Sequence, residues 1–147
     1  MASAERPRPL TTTLVDASFF VALYNKREAA HPLCVGTYEA LDSQLVTCEA
    51  CIAEALHILG HAAAAVGAIF TSIEQGSLGV PLHIGSEARE VARIMLKYAD
   101  TPCDFADACL IHMASQLDTG DILTLDSDFK HYRWRRNKRF RLLVPLE

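Results

Sequence analysis

Asp121-Ile-Leu-Thr-Leu-Asp-Ser-Asp-Phe129 is a short apolar run that stops at two carboxylates two residues apart. Ile122, Leu123 and Leu125 suit a strand buried on both faces, as in parallel sheets. Asp126 then stands at a strand's carboxyl end, the edge where loops of an open α/β sheet form the ligand crevice. A second stretch has the same form, since Thr12-Thr-Leu-Val15 runs into Asp16. Two acids at two strand ends point to one site.

Working outward, strand-like runs alternate with helical periods, which predicts an α/β fold with a mainly parallel sheet. The strand at Thr12–Val15 leads into a helix over Ala17–Leu23 with Ser18 as its cap, and a second helix spans His31–Leu41 with Pro32 in its first turn. After a brief strand at Leu45–Thr47, a third helix runs from Glu49 to Gly60, with Ile52, Leu56 and Leu59 on one stripe and Glu54 away from it. A fourth helix covers Ala62–Gln75, capped by Gly76. Val80–Ile84 reads as an edge strand because of Pro81, and Ser86 opens a helix through Tyr98. Asp104–Leu117 is the next helix. Lys130–Lys138 is expected to form a helical turn, and Phe140–Val144 a last strand. Residues 1–11 read as a flexible leader and 12–147 as one domain.

The 147 residues are 50% hydrophobic and 22% charged, a composition of compact globular chains. No apolar run approaches the roughly 20 residues that cross a bilayer, and the first nine lack a signal peptide's apolar core. A soluble cytosolic protein is expected. Five cysteines, an odd number without such a signal, argue for reduced thiols. Cys48-Glu-Ala-Cys51 has redox-motif spacing, and Cys103, Cys109 and His57 or His61 could complete a loose zinc set, but buried structural cysteine is the simpler reading. The net charge of −4 hides an asymmetry: Lys130–Arg141 holds seven of the 14 basic residues and no acid, which leaves the rest of the chain at −11. In that segment Tyr132, Trp134 and Phe140 interleave with Lys130, Arg133, Arg135 and Arg136. Cations meet phosphates and rings stack on unpaired bases, so the segment reads as an RNA contact placed beside the acids, with a solvated face or a docking surface for an acidic protein as alternatives.

Asp104 and Asp107 share a face at the start of an apolar helix. Together with Asp16, Glu54 and Asp126 they form a set of hard oxygen donors suited to Mg²⁺ or Mn²⁺. Each has a plainer reading. Asp16 and Asp104 are good helix caps, Asp107 suits a first turn, Glu54 a solvated helix surface, and Asp126 to Phe129 a turn.

Val15-Asp-Ala-Ser-Phe-Phe-Val-Ala-Leu23, Ala53-Glu-Ala55, Asp104-Phe-Ala-Asp-Ala-Cys-Leu-Ile111 and Leu123-Thr-Leu-Asp-Ser-Asp-Phe129 together resemble the PIN domain, especially its VapC-type toxins. The resemblance runs from Thr12 to Pro145. It implies a three-layer α/β/α sandwich with ribonuclease activity dependent on Mg²⁺ or Mn²⁺, often homodimeric, and blocked by a separate antitoxin. On this chain it assigns the acids to Asp16, Glu54, Asp107 and Asp126, with Asp104 as an added metal ligand, Asp128 in the turn, and Thr124 orienting a carboxylate. The competing expectation is a non-catalytic PIN-like module that binds RNA or protein.

Overall fold

The computed structural model describes residues 11–146. The expected leader lies, up to residue 10, outside the described residues, and Thr11 already belongs to the first strand. Five parallel strands form the central sheet: β1 (Thr11–Val15), β2 (Ser43–Val46), β3 (Leu78–Gly79), β4 (Asp121–Leu123) and β7 (Arg141–Leu142), in the order β3-β2-β1-β4-β7. Helices α1 (Ala17–Tyr24), α2 (His31–Ala40), α3 (Glu49–Ile58), α4 (Ala63–Gln75), α5 (Ile84–Lys97) and α6 (Phe105–Leu117) flank it. Among the described residues no helix is long and apolar enough to cross a membrane.

The strand order sets the position of the site. From central β1 the chain winds outward through β2 to β3, then returns to β4 on the opposite side of β1. Between β1 and β4 the winding reverses, which opens the crevice where doubly wound sheets bind ligands. Leu14, Val15, Ile122 and Leu123 are fully buried at this junction. Leu14 pairs with Ile122 and Val15 with Leu123, and Asp16 N–H donates to the Leu123 carbonyl at 3.0 Å. The carboxyl ends of both strands are thereby level.

Several local expectations are corrected. Asp16, not Ser18, caps α1: its side chain accepts from Ala17 N–H at 2.8 Å. The edge strand is Leu78–Gly79 rather than Val80–Ile84, since Pro81 has no N–H for a ladder. Helix α5 starts at Ile84, before Ser86, and Glu87 Oε2 reaches back to His83 N–H. Gly76 does end α4, at φ 83°, a left-handed angle glycine adopts without cost.

The largest correction falls on the basic segment. After one 3-10 turn over Ser127–Lys130, the chain forms an antiparallel hairpin of β5 (Arg133–Trp134) and β6 (Lys138–Arg139) instead of a helical turn. Tyr132, Trp134 and Phe140 face inward, all below 8% exposed. Tyr132 and Phe140 each meet Phe129 edge to face, at 5.1 and 5.3 Å, and Trp134 Nε1–H donates to the Arg139 carbonyl. These rings are core, not a base-stacking surface. Alternation of Tyr132, Arg133, Trp134 and Arg135 was the available signal, because a period of two buries one face of a strand.

Candidate active site

A cleft of about 380 Å³ opens at the β1–β4 switch point, and seven carboxylates line it: Asp16, Glu28, Glu54, Asp104, Asp107, Asp126 and Asp128. No lysine or arginine is among its lining residues. All five expected acids are therefore brought together from four separate parts of the fold. Asp16 comes from the end of β1, Glu54 from α3, Asp104 and Asp107 from the start of α6, and Asp126 from beyond β4. Glu28, in the loop between α1 and α2, gave no sequence signal beyond its charge. Asp128 shares the cleft with Asp126, although the sequence placed it only in the turn.

The plainer readings hold for Asp16, Asp104, Asp107 and Asp126, because hydrogen bonds to local backbone position these acids. Asp104 Oδ1 accepts from Asp107 N–H at 2.9 Å, and Asp107 Oδ2 accepts from Asp104 N–H at 3.3 Å, a reciprocal capping box at the start of α6. Asp126 Oδ1 accepts from Asp128 N–H at 2.9 Å. Each carboxylate keeps lone pairs free for the cleft after capping its own backbone.

Asp16 is the most constrained of the set, only 5% exposed. Its Oδ2 accepts from Thr124 Oγ–H at 2.7 Å and from Ser18 Oγ–H at 3.1 Å. Ser18 Oγ in turn accepts from Leu125 N–H, and Thr124 Oγ from Asp126 N–H, both at 3.0 Å. One network thus fixes the first acid and the turn that carries the last. Burial raises the Asp16 pKa, opposed chiefly by the Thr124 and Ser18 hydrogen bonds. Burial also raises Glu54, with repulsion from Asp104, Asp16 and Asp126 adding to it. Asp126 is raised by burial against its backbone bond. The largest effect is on Asp107, pushed up to about 8 by burial and then by the charge of Asp104. Carboxylates forced together in this way hold protons or attract cations.

The donors are oxygens, which fits Mg²⁺ or Mn²⁺ rather than a soft metal. Among the described residues, no three His, Cys, Asp or Glu side chains form a group that could grip an ion directly. Mg²⁺ keeps several waters and binds through one or two carboxylates, so the fit is to a hydrated ion. The thiols lie behind this wall. Cys48 and Cys51 have their sulfurs 3.4 Å apart, and Cys51 Sγ–H reaches Asp16 Oδ1 at 3.9 Å. Hydrogen bonds from Cys109 and then Cys51 lower the Cys48 pKa, while those two partners are pushed up. All three are at most 1% exposed, so they pack the base of the site.

The basic residues are placed differently from expectation. Arg135 is fixed at the far end of α6, its backbone N–H on Ser115 Oγ at 3.0 Å and its guanidinium on the Ser115 carbonyl at 2.8 Å. Ser115 stands 11 residues beyond Asp104, about 16 Å along a helix. The hairpin is thus not beside the acids, although Lys130 and Asp128 share one 3-10 turn.

Residues 13–135 match the PIN domain. The chain belongs to the PIN domain family. Its fold is similar to that of Mycobacterium tuberculosis VapC20, a toxin that cleaves the sarcin–ricin loop, with a TM-score of 0.71 at 19% identity, covering 81% of this chain and 93% of that one. No curated protein sequence matches it. This PIN domain therefore places Asp16 and Asp126 in one cleft, each held by a backbone N–H of its own segment.

Proposed function

We propose that this PIN domain is a metal-dependent endoribonuclease and the toxin of a toxin–antitoxin pair. The observation that carries the reading is the convergence of Asp16, Glu54, Asp107 and Asp126, with Asp104, on a cleft that contains no cation of its own. The named activity of VapC20, whose fold is similar, supports it. Asp16, Asp107 and Asp126, with Glu54 and Asp104 around them, would hold one or two Mg²⁺ or Mn²⁺ ions, partly through water. Such an ion supplies charge neutralisation at a phosphodiester and a more acidic water.

The chain's own groups do the rest. Thr124 and Ser18 hold the Asp16 carboxylate in place at the wall of the cleft. Asp107, its pKa pushed up to about 8, holds a proton near neutrality, and in its ionised form would be one of the ion's ligands. Lys130, Arg133, Arg135 and Arg136 bind the RNA backbone. The protein acts in the cytoplasm as a homodimer, and a separate antitoxin chain blocks the cleft.

The test is cleavage of structured RNA by purified protein in Mg²⁺, Mn²⁺ or EDTA, beside Asp16→Asn and Asp126→Asn. Cleavage is expected only with the metal and only with both acids. Full activity in EDTA or in Asp16→Asn sinks the mechanism. RNA binding without cleavage or ion uptake would identify a non-catalytic module, a reading favoured by the capping duties of Asp16, Asp104 and Asp126.

A further inference from the structure

We propose that a second pocket, between α5, α6 and the β5–β6 hairpin, holds a phosphate of the RNA remote from the one that is cut. The inference rests on the ribonuclease reading and adds α5 to the RNA-binding surface. The pocket has a volume of about 190 Å³ and is lined by Arg93 and Lys97 of α5 and by Arg133, Arg135 and Arg136 of the hairpin, with no carboxylate in its wall. It is the electrostatic opposite of the acid cleft.

Its cations are organised rather than scattered. Arg93 and Lys97 are four residues apart and so share one helix face. The Arg133 guanidinium donates to the Lys130 and Tyr132 carbonyls at 3.0 Å, which orients the side chain without neutralising it. Among the described residues, no carboxylate forms a salt bridge with Lys97, Arg133 or Arg136, whereas Arg93 pairs with Glu90 and Arg135 with Asp118. At the hairpin tip, Arg135 and Arg136 both have left-handed backbones, at φ 38° and 68°. Glycine or asparagine would adopt those angles more cheaply. Two arginines there cost backbone strain at positions that line the pocket.

The two sites complement each other. Seven carboxylates repel a polyanion, and a hydrated ion in the cleft offsets that charge only locally, so affinity for the rest of the RNA must come from cations elsewhere. A concave cluster of arginines and a lysine suits the tetrahedral oxygens of a phosphate. From Asp107 or Asp104 to Ser115 is about 12 to 16 Å along α6. A stacked strand advances about 3.4 Å per nucleotide, so the two phosphates would be about four or five nucleotides apart. The substrate class is therefore an RNA long enough to span both sites.

The experiment uses the full chain and its Lys97→Gln and Arg136→Gly variants, the latter compatible with the positive φ. Binding of an RNA of about 20 nucleotides is measured in EDTA across a salt series, and KM for that RNA and for a dinucleotide is measured in Mn²⁺. Each variant is expected to weaken binding of the long RNA about tenfold and to reduce the slope of log K against log salt by about 0.7 to 0.9. The KM advantage of the long RNA over the dinucleotide is expected to shrink. If cleavage depends on metal but the variants keep wild-type affinity, salt slope and KM ratio, the pocket proposal fails and the ribonuclease reading stands. An acidic peptide that loses affinity in the variants while the RNA does not also overturns it. If no RNA is cut yet the variants lose RNA affinity and salt slope, the pocket stands and the ribonuclease reading falls.

Discussion

Thr124 Oγ–H donates to Asp16 Oδ2 at 2.7 Å, joining residues 108 positions apart at the ends of adjacent parallel strands. Both are buried, Thr124 completely. The bond favours the ionised form of a carboxylate that burial disfavours, so Thr124 acts through Asp16.

Thr124→Val keeps the shape and removes both the donor to Asp16 and the acceptor of Asp126 N–H. Asp16 Oδ2 keeps Ser18 as a donor, but Asp126 N–H loses its acceptor, a loss of about 1 to 3 kcal/mol, and loss of such an orienting partner lowers metal affinity or activity about 10- to 100-fold. Because the bond serves the charged carboxylate, the stability loss is expected to grow as pH rises. Urea denaturation at several pH values measures it, and a loss equal at all pH values would contradict this account.

Asp107 titrates at about 8 in the folded protein against an ordinary value of 3.8. A raised carboxyl pKa contributes stability that is complete below the unfolded value and is lost as pH rises through the folded one. Asp16, Glu54 and Asp126 are shifted in the same direction. In EDTA, the thermal midpoint is expected to fall between about pH 5 and about pH 9. Asp107→Asn, which keeps the capping acceptor, should flatten much of that slope, and Mg²⁺ should oppose it. A midpoint that rises across this window would show that repulsion in the cleft is not limiting.

Asp104 has two duties that substitution separates. Asparagine caps a helix about as well as aspartate, whereas alanine costs about 0.5 to 2 kcal/mol. Asp104→Asn is expected to melt like the wild type and Asp104→Ala earlier, while both bind Mn²⁺ more weakly in calorimetry. With the Asp104 charge gone, the Asp107 pKa should also drop toward its ordinary value. Undiminished Mn²⁺ affinity in both variants would leave Asp104 as a cap alone.

Gly120 is where the hairpin presses on the sheet. A Cβ there would come within 2.9 Å of Trp134 Cε2 and 3.0 Å of the Arg139 carbonyl oxygen. Gly120→Ala is expected to destabilise by about 1 to 3 kcal/mol through overpacking. Differential scanning calorimetry reads the effect. A wild-type melting temperature would mean that the hairpin moves aside at no cost.

Much of the site was legible in the sequence because its signals are local. Apolar runs ending at Asp16 and Asp126 mark buried strands, and the Asp104–Asp107 spacing marks a helix start. Asp16 and Asp104 could also be read as caps and Asp126 as a turn residue, and each does accept from a nearby backbone N–H while lining the cleft. Glu28 was invisible, because nothing in a loop's composition says which cleft it will border. The aromatic residues were misread through their neighbours: Tyr132 and Trp134 alternate with arginines, and that alternation marks a hairpin with one buried face rather than rings offered to bases.

The sequence by itself determined the α/β alternation, the strand-end acids and the −11 against +7 division of charge, because hydrophobic period, capping preference and formal charge are properties of short stretches. Tertiary structure alone decided that β1 and β4 are neighbours and that Thr124 meets Asp16. It also decided that the basic hairpin docks at Ser115 rather than beside the acids. Those are pairings between distant segments, set by sheet order and by the burial of Trp134, and no local pattern encodes which distant partner a segment will meet.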